Sequence, residues 1–267
     1  MTIELEAVPR AQTRARYPDE SGYIERDGVR VFWERYGEGG PDVLLLPTWS
    51  LVHSRHWKMQ IPYLARHCRV VTFDGRGNGG SGRPVGAEAY TIREFALDAL
   101  AVLDATATER AVVVGVSCAA LWGVLLAAEH PERIAGAAFI GPAVALAPPL
   151  PERAVYSFHE PLDTDEGWAK YNIHHWLRDY RDFLEFFLGK CFTEPHSTKQ
   201  IEDGIAWALD TTPETLADHD TGIGLTTGVE FTDLCASVRC PVLVMHGDQD
   251  AIRPQAQGVG LADATRG

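Results

Sequence analysis

A single serine stands where a strand-forming run gives way to a helix-forming one. Residues 111–128 read AVVVGVSCAALWGVLLAA. Val112-Val113-Val114 is a β-branched run of the kind carried by a strand buried on both faces. It breaks at Gly115-Val116-Ser117-Cys118-Ala119 and resumes from Leu121 to Ala128 with good helix formers. Strand, tight turn of small residues around Ser117, then helix is the arrangement of a nucleophile elbow. Such a turn lifts the serine oxygen clear of the backbone and aims it at the helix N-terminus. Free N–H groups and the helix dipole favour negative charge there. The serine hydroxyl becomes a nucleophile when a base takes its proton, usually a histidine oriented by a carboxylate. The same 18 residues hold one polar side chain and are long enough for a membrane span. Against a span, the propensity switches halfway and no excess of Lys or Arg flanks the run.

The elements that must position Ser117 follow from the rest of the chain. Residues 1–20 read as a loose polar arm. Tyr23–Arg26 and Val29–Tyr36 flank Asp27-Gly28, a two-residue hairpin signal. Val43–Leu46 and Arg69–Phe73 are short apolar strands, with a short helix expected over Trp57–Arg66 between them. Gly75-Arg76-Gly77-Asn78-Gly79-Gly80 matches G-x-G-x-x-G after a strand. A dinucleotide site would open a helix at once, whereas Ser81–Gly86 prolongs the loop, so a flexible turn near the site is expected and no cofactor. From Thr91 to Ala105 the apolar residues recur with a helical period, and Ile134–Ile140 is another buried strand. Alternating strands and helices imply a mostly parallel, doubly wound α/β sheet. Residues 143–237 change character: they are polar, helical and aromatic-rich, with a helix over Lys199–Leu209. Strand pattern returns at Val242–Met245, and Gln255–Ala264 reads as a helix. The expected organisation is an arm (1–20), a first core part (21–142), an inserted helical cap (143–237) and a second core part (238–267).

Composition sets the bounds on function. A chain of 267 residues with 45% apolar and 23% charged residues can bury one substantial core. A net charge of -13 disfavours nucleic acid and anionic membrane surfaces as partners, leaving a small-molecule substrate and a possible homo-oligomer. Five scattered cysteines suggest neither a disulfide framework nor a zinc site. His53-x-x-His56 has no partner cluster, so no metal is expected. The first ten residues carry two acids and no sustained apolar core, so a cytoplasmic protein is expected.

Four blocks, in order, resemble the α/β-hydrolase superfamily: Leu44–Ser50, Phe73-Asp74-Gly75-Arg76-Gly77, Gly115–Ala119 and Gly247–Pro254. The chain looks most like the capped serine esterases, enol-lactonases and carbon–carbon bond hydrolases. The serine argues against the dehalogenases and epoxide hydrolases, whose nucleophile is an aspartate. The resemblance implies that Ser117 is the nucleophile and that the Cys118 N–H supplies half of an oxyanion hole. It implies the other half from the loop after Leu46, which reads Pro47-Thr48-Trp49-Ser50 where the family has His-Gly, so that the Trp49 N–H takes the matching position. Asp250 matches the family's acid in the Gly-x-x-Asp turn and follows a buried strand. Asp248 reads as a turn residue. The pocket is expected to be apolar, with Trp49, Trp122 and Trp176 as candidates.

In this superfamily the general-base histidine follows one more helix and strand after the acid. Only 17 residues follow Asp250 and none is a histidine, so that base is expected beyond residue 267. His246, His53, His56, His174 and His175 are expected to serve surface or packing roles. The leading reading is a carboxylesterase-like serine hydrolase of a small to medium apolar ester, lactone or related carbonyl compound. The alternatives are a non-catalytic ligand-binding domain that lacks the triad histidine, or a carbon–carbon bond hydrolase using the same serine.

Overall fold

The structure, a computed structural model, describes residues 14–224 and 231–265. Strands β1 (Glu20–Arg26) and β2 (Val29–Tyr36) form the hairpin across Asp27 and Gly28. Both turn residues adopt the positive φ that a two-residue hairpin demands, 52° and 77°. Then come β3 (Asp42–Leu45), α1 (Ile61–Leu64), β4 (Arg69–Phe73), α2 (Ile92–Ala105), β5 (Ala111–Val116), α3 (Ala119–Glu129) and β6 (Ile134–Ile140). Helices α4 (Pro151–Ala154), α5 (Ile173–Arg178), α6 (Tyr180–Cys191), α7 (Thr198–Ala208), α8 (Pro213–Gly224) and α9 (Phe231–Ser237) precede β7 (Val242–Met245) and α10 (Gln255–Thr265).

The described strands pair in the order β1-β2-β4-β3-β5-β6-β7. The hairpin joins antiparallel, and β4, β3, β5, β6 and β7 run parallel. Order reverses between β3 and β5, because the chain leaves β3 for β4 on one side and crosses back to β5 on the other. A parallel sheet opens its crevice at such a switch point, beyond the strands' carboxyl ends. The loops that emerge there are 46–50 and 116–118, the two stretches singled out for chemistry.

Helix α3 sits at the centre of the core. Its residues from Ala119 to Ala127 are buried all round, so it carries no polar face. Beside it, α2 buries Phe95, Ala96, Ala99, Val102 and Leu103, and Thr91 caps it by accepting from the Glu94 N–H. On the opposite sheet face a smaller cluster gathers Tyr36, Val43, Leu45, Trp57, Ile61 and Val70. That face is thinly covered toward β7: Val112, Val114 and Val116 are half-buried, where burial on both faces was expected, and Leu243 and Met245 stand 55% and 42% exposed.

Other differences have local causes. The helix expected over Trp57–Arg66 splits into a 3-10 turn, Ser54–Trp57, and α1. Pro62, in the first turn of α1, lacks an N–H and suits a helix start, not an interior. Of the expected loose arm, residues 1–13 lie outside the described residues. From Arg14 onward the chain is anchored: Arg14 pairs with buried Glu34 at 2.5 Å and donates to Tyr36 Oη, and Asp19 Oδ2 accepts from the Gly37 N–H. Helix α9 packs on α3 and α10.

Candidate active site

Ser117 follows β5 directly, with φ 57°, a left-handed conformation that a serine adopts at a cost of about 1–3 kcal/mol. Two sets of contacts hold it there. Its N–H donates to the Ile140 carbonyl at 2.9 Å, and its carbonyl accepts from the Ala143 N–H at 3.1 Å. The turn closes tightly because Gly115 has no side chain: a Cβ at Gly115 would lie 2.8 Å from that of Ala119. Small residues on either side of Ser117 are therefore a packing requirement. The Ser117 hydroxyl has no hydrogen-bond partner among the described residues.

Beyond the turn, α3 presents its N-terminus. No side chain caps it, and the Cys118 N–H finds no acceptor among the described residues. The same holds for the N–H of Trp49 on the loop after β3. Thr48 brings the two stretches together: its Oγ1 donates to the Val116 carbonyl at 2.8 Å and lies 3.7 Å from Cys118 Sγ. Two indoles fix the same loop from below, Trp57 donating to the Leu46 carbonyl and Trp122 to the Pro47 carbonyl. Two N–H groups without an acceptor among the described residues, one of them directly after the serine, are the kind of donor an oxyanion needs. Burial pushes the Cys118 thiol up to about 12, so it stays protonated.

The next residue, Ser50, is bound at every polar atom. Its N–H donates to His219 Nδ1 at 3.0 Å, its hydroxyl donates to the Arg76 carbonyl, and its carbonyl accepts from Asn78 Nδ2. The glycine-rich stretch thus buttresses the Trp49 loop. It is densely bonded, not an open flexible turn: Arg76 is buried in a two-pronged pair with Asp98, and Asp74 accepts from the Ser54 and Gly80 N–H groups. His219, on α8, went unremarked in the sequence. Its spacing of three from Leu216 places it on that helix's buried face. It stacks between Phe95 and Tyr90, and burial lowers it to about 3, so its Nδ1 is free to accept.

Asp250 lies in the turn after β7. Its Oδ1 accepts from the N–H groups of Ile252 and Arg253 at 2.7 and 2.9 Å. Its Oδ2 lies 3.4 Å from where a Cβ at Gly141 would be, in the 140–143 stretch that also bonds Ser117. His246 Nε2 is 3.1 Å from the same Oδ2, while its Nδ1 is buried against Gly258 without a partner. Neither nitrogen of His246 hydrogen-bonds Ser117. All ten histidines are among the described residues, and none hydrogen-bonds the serine. Asp248 has no comparable set of backbone donors among the described residues.

Trp49 stacks on Tyr171 and meets Trp176, Phe183 and Phe187, all supplied by the α4–α8 segment. Trp176 is fully buried in that cluster, and Trp122 is fully buried beneath the loop, against Phe95 and His219. Beside the cluster opens a cavity of about 170 Å³, lined among others by Phe158, Trp168, Tyr171, Arg153 and Arg253. None of the three expected pocket tryptophans lines it. His53 packs on Trp207, lowered to about 4 by burial, and His175 bonds Asp182, both apart from Ser117.

Residues 41–265 match the family of the alpha/beta hydrolase fold. The chain belongs to that family. It is 29% identical over 242 residues to a non-heme haloperoxidase of Rhodococcus erythropolis, covering 88% of this chain and 84% of that one. It is 36% identical over 138 residues to epoxide hydrolase A of Mycobacterium tuberculosis, a match that spans half of this chain and 42% of that enzyme. Among solved structures it is similar to the enol-lactonase from Burkholderia xenovorans LB400, with a TM-score of 0.71 and 25% identity over 91% of this chain and 87% of that one. These relatives support a hydrolase. No described helix is long and apolar enough to cross a membrane, and the apolar run 111–128 is divided between β5 and α3.

Proposed function

We propose that this α/β hydrolase cleaves a small to medium ester, lactone or related carbonyl compound through an acyl-enzyme on Ser117. The observation that carries the reading is the left-handed Ser117 between β5 and the uncapped start of α3, beside the unpaired Trp49 N–H. In this reading Ser117 Oγ attacks the carbonyl carbon, and the resulting oxyanion accepts from Cys118 and Trp49. Collapse expels the alcohol and leaves an acyl-serine, which water hydrolyses. The serine proton passes to a base that Asp250 would orient, which returns it to the leaving alcohol; no described histidine holds that position. The α4–α8 segment acts as the cap, and Phe158, Trp168 and Tyr171 give its cavity an apolar wall.

One observation favours a second reading, a domain that binds a carbonyl ligand without turning it over. No described histidine bonds Ser117, so the base is not in place within these contacts. Hydrolysis of a chromogenic aryl acetate separates the two. The hydrolase reading expects a rate above buffer that Ser117→Ala returns to background. Even without a base, an oxyanion hole can retain about 10³-fold over water. An undiminished rate in Ser117→Ala overturns it, and an ester bound but recovered intact supports the binding reading.

A further inference from the structure

The cavity beside the aromatic cluster contains an electrostatic anomaly. Arg253, three residues after Asp250, lines it with a guanidinium that has no hydrogen bond or ion pair with any described residue, and its Nε is buried without a partner. A buried N–H left without a partner among the described residues is costly unless a ligand accepts from it. Arg153 lines the same space. One of its nitrogens donates to the Ile252 carbonyl, and its plane lies over the rings of Trp168 and Tyr171 at 4.5 and 4.8 Å. The two cations repel each other, which together with the larger effect of burial lowers Arg153. Asp220 feels both, yet forms no ion pair with either, and its Oδ1 is taken by the Tyr171 hydroxyl. In a chain of net charge -13, two guanidiniums at one cavity without a carboxylate partner among the described residues are a local exception.

We propose that this cavity is a carboxylate subsite, in which Arg253 and Arg153 hold a free carboxylate of the ligand while Phe158, Trp168 and Tyr171 enclose its apolar body. Guanidinium forks match carboxylates in geometry as well as charge. The volume, about 170 Å³, exceeds that of an engineered cavity of about 150 Å³ that takes benzene, so a ring or a short chain fits. The Arg253 backbone N–H donates to Asp250 Oδ1 at 2.9 Å, which ties this cavity to the acid turn of the candidate active site. Combined with the hydrolase reading, on which this part alone rests, the substrate is an ester or lactone that carries a second, ionised carboxylate.

Calorimetric titration of the unaltered chain with phenylacetate and with its neutral isostere phenylacetamide tests the subsite without requiring turnover. The acid is expected to bind about tenfold or more tightly than the amide, because a charge-assisted bond replaces a neutral one. Arg253→Gln is expected to abolish that preference while the variant still melts cooperatively. Equal affinity for acid and amide, no saturable binding of either, or a preference that survives Arg253→Gln overturns the proposal. The acid–amide comparison stands even where the variant fails to fold. An inert Ser117 with intact acid selectivity would sink the hydrolase reading and leave the subsite standing.

Discussion

Ser117 is held in a conformation that costs energy, and the residues that impose it are small ones whose identity the sequence displays. Gly115 and Ala119 bracket it because a Cβ at 115 would meet the one at 119. That is why the serine could be picked out from spacing alone. Asp250 was legible through its place after an apolar strand run and its match to a family turn, although that strand, β7, is half exposed. His219, Arg153 and Arg253 were not, since nothing local distinguishes a buried or unpaired side chain from a solvated one. The buried histidines make a prediction at this scale. His219 and His53 are lowered by burial to about 3 and 4, from 6.5 when exposed. Between those values only the unfolded chain takes up the proton, so stability falls as pH drops below about 6.5. Each contributes up to about 1.4 kcal/mol per pH unit in that window. Urea unfolding at pH 7 and pH 5 is expected to show the loss, and His219→Gln to reduce the slope. A slope unchanged in that variant would remove His219 from the account.

At the scale of elements, β-branched runs ending at Gly, Pro or Asp fixed β3 to β7 nearly to the residue, because a strand in a parallel sheet must be apolar along its whole length. The glycine-rich stretch was harder. Its role as a buttress depends on Arg76 and Asn78 reaching α2 and Ser50, contacts between segments distant in the chain. Thr48 is the corresponding surprise in the oxyanion loop, where it ties β3's exit to the elbow. Thr48→Val removes that bond and is expected to destabilise the fold by about 1 kcal/mol in urea melts. It also loosens the Trp49 N–H, so ester hydrolysis is expected to fall while Thr48→Ser retains it. A valine variant with full activity would mean that Trp49 is held by Trp122 and Ser50 alone.

Over the whole molecule, a mostly parallel sheet could be expected from the alternating pattern, but the strand order and the uneven covering of the sheet could not. Among the described strands β7 is the outermost on its side of the sheet, with Leu243 and Met245 exposed on one face. Exposed apolar edges template pairing with other chains. Self-association at micromolar concentration is therefore expected by light scattering, with Leu243→Lys/Met245→Lys shifted to monomer. An identical mass for both proteins would contradict this. The central claim concerns the other end of the strands, where the crevice brings Ser117, Cys118, Trp49 and Asp250 to one side of the sheet. Treating the folded chain with a fluorophosphonate and mapping the adduct by mass spectrometry tests it most directly. The account predicts a single adduct on Ser117, absent from Ser117→Ala. An adduct elsewhere, or none on a protein that melts cooperatively, would contradict it.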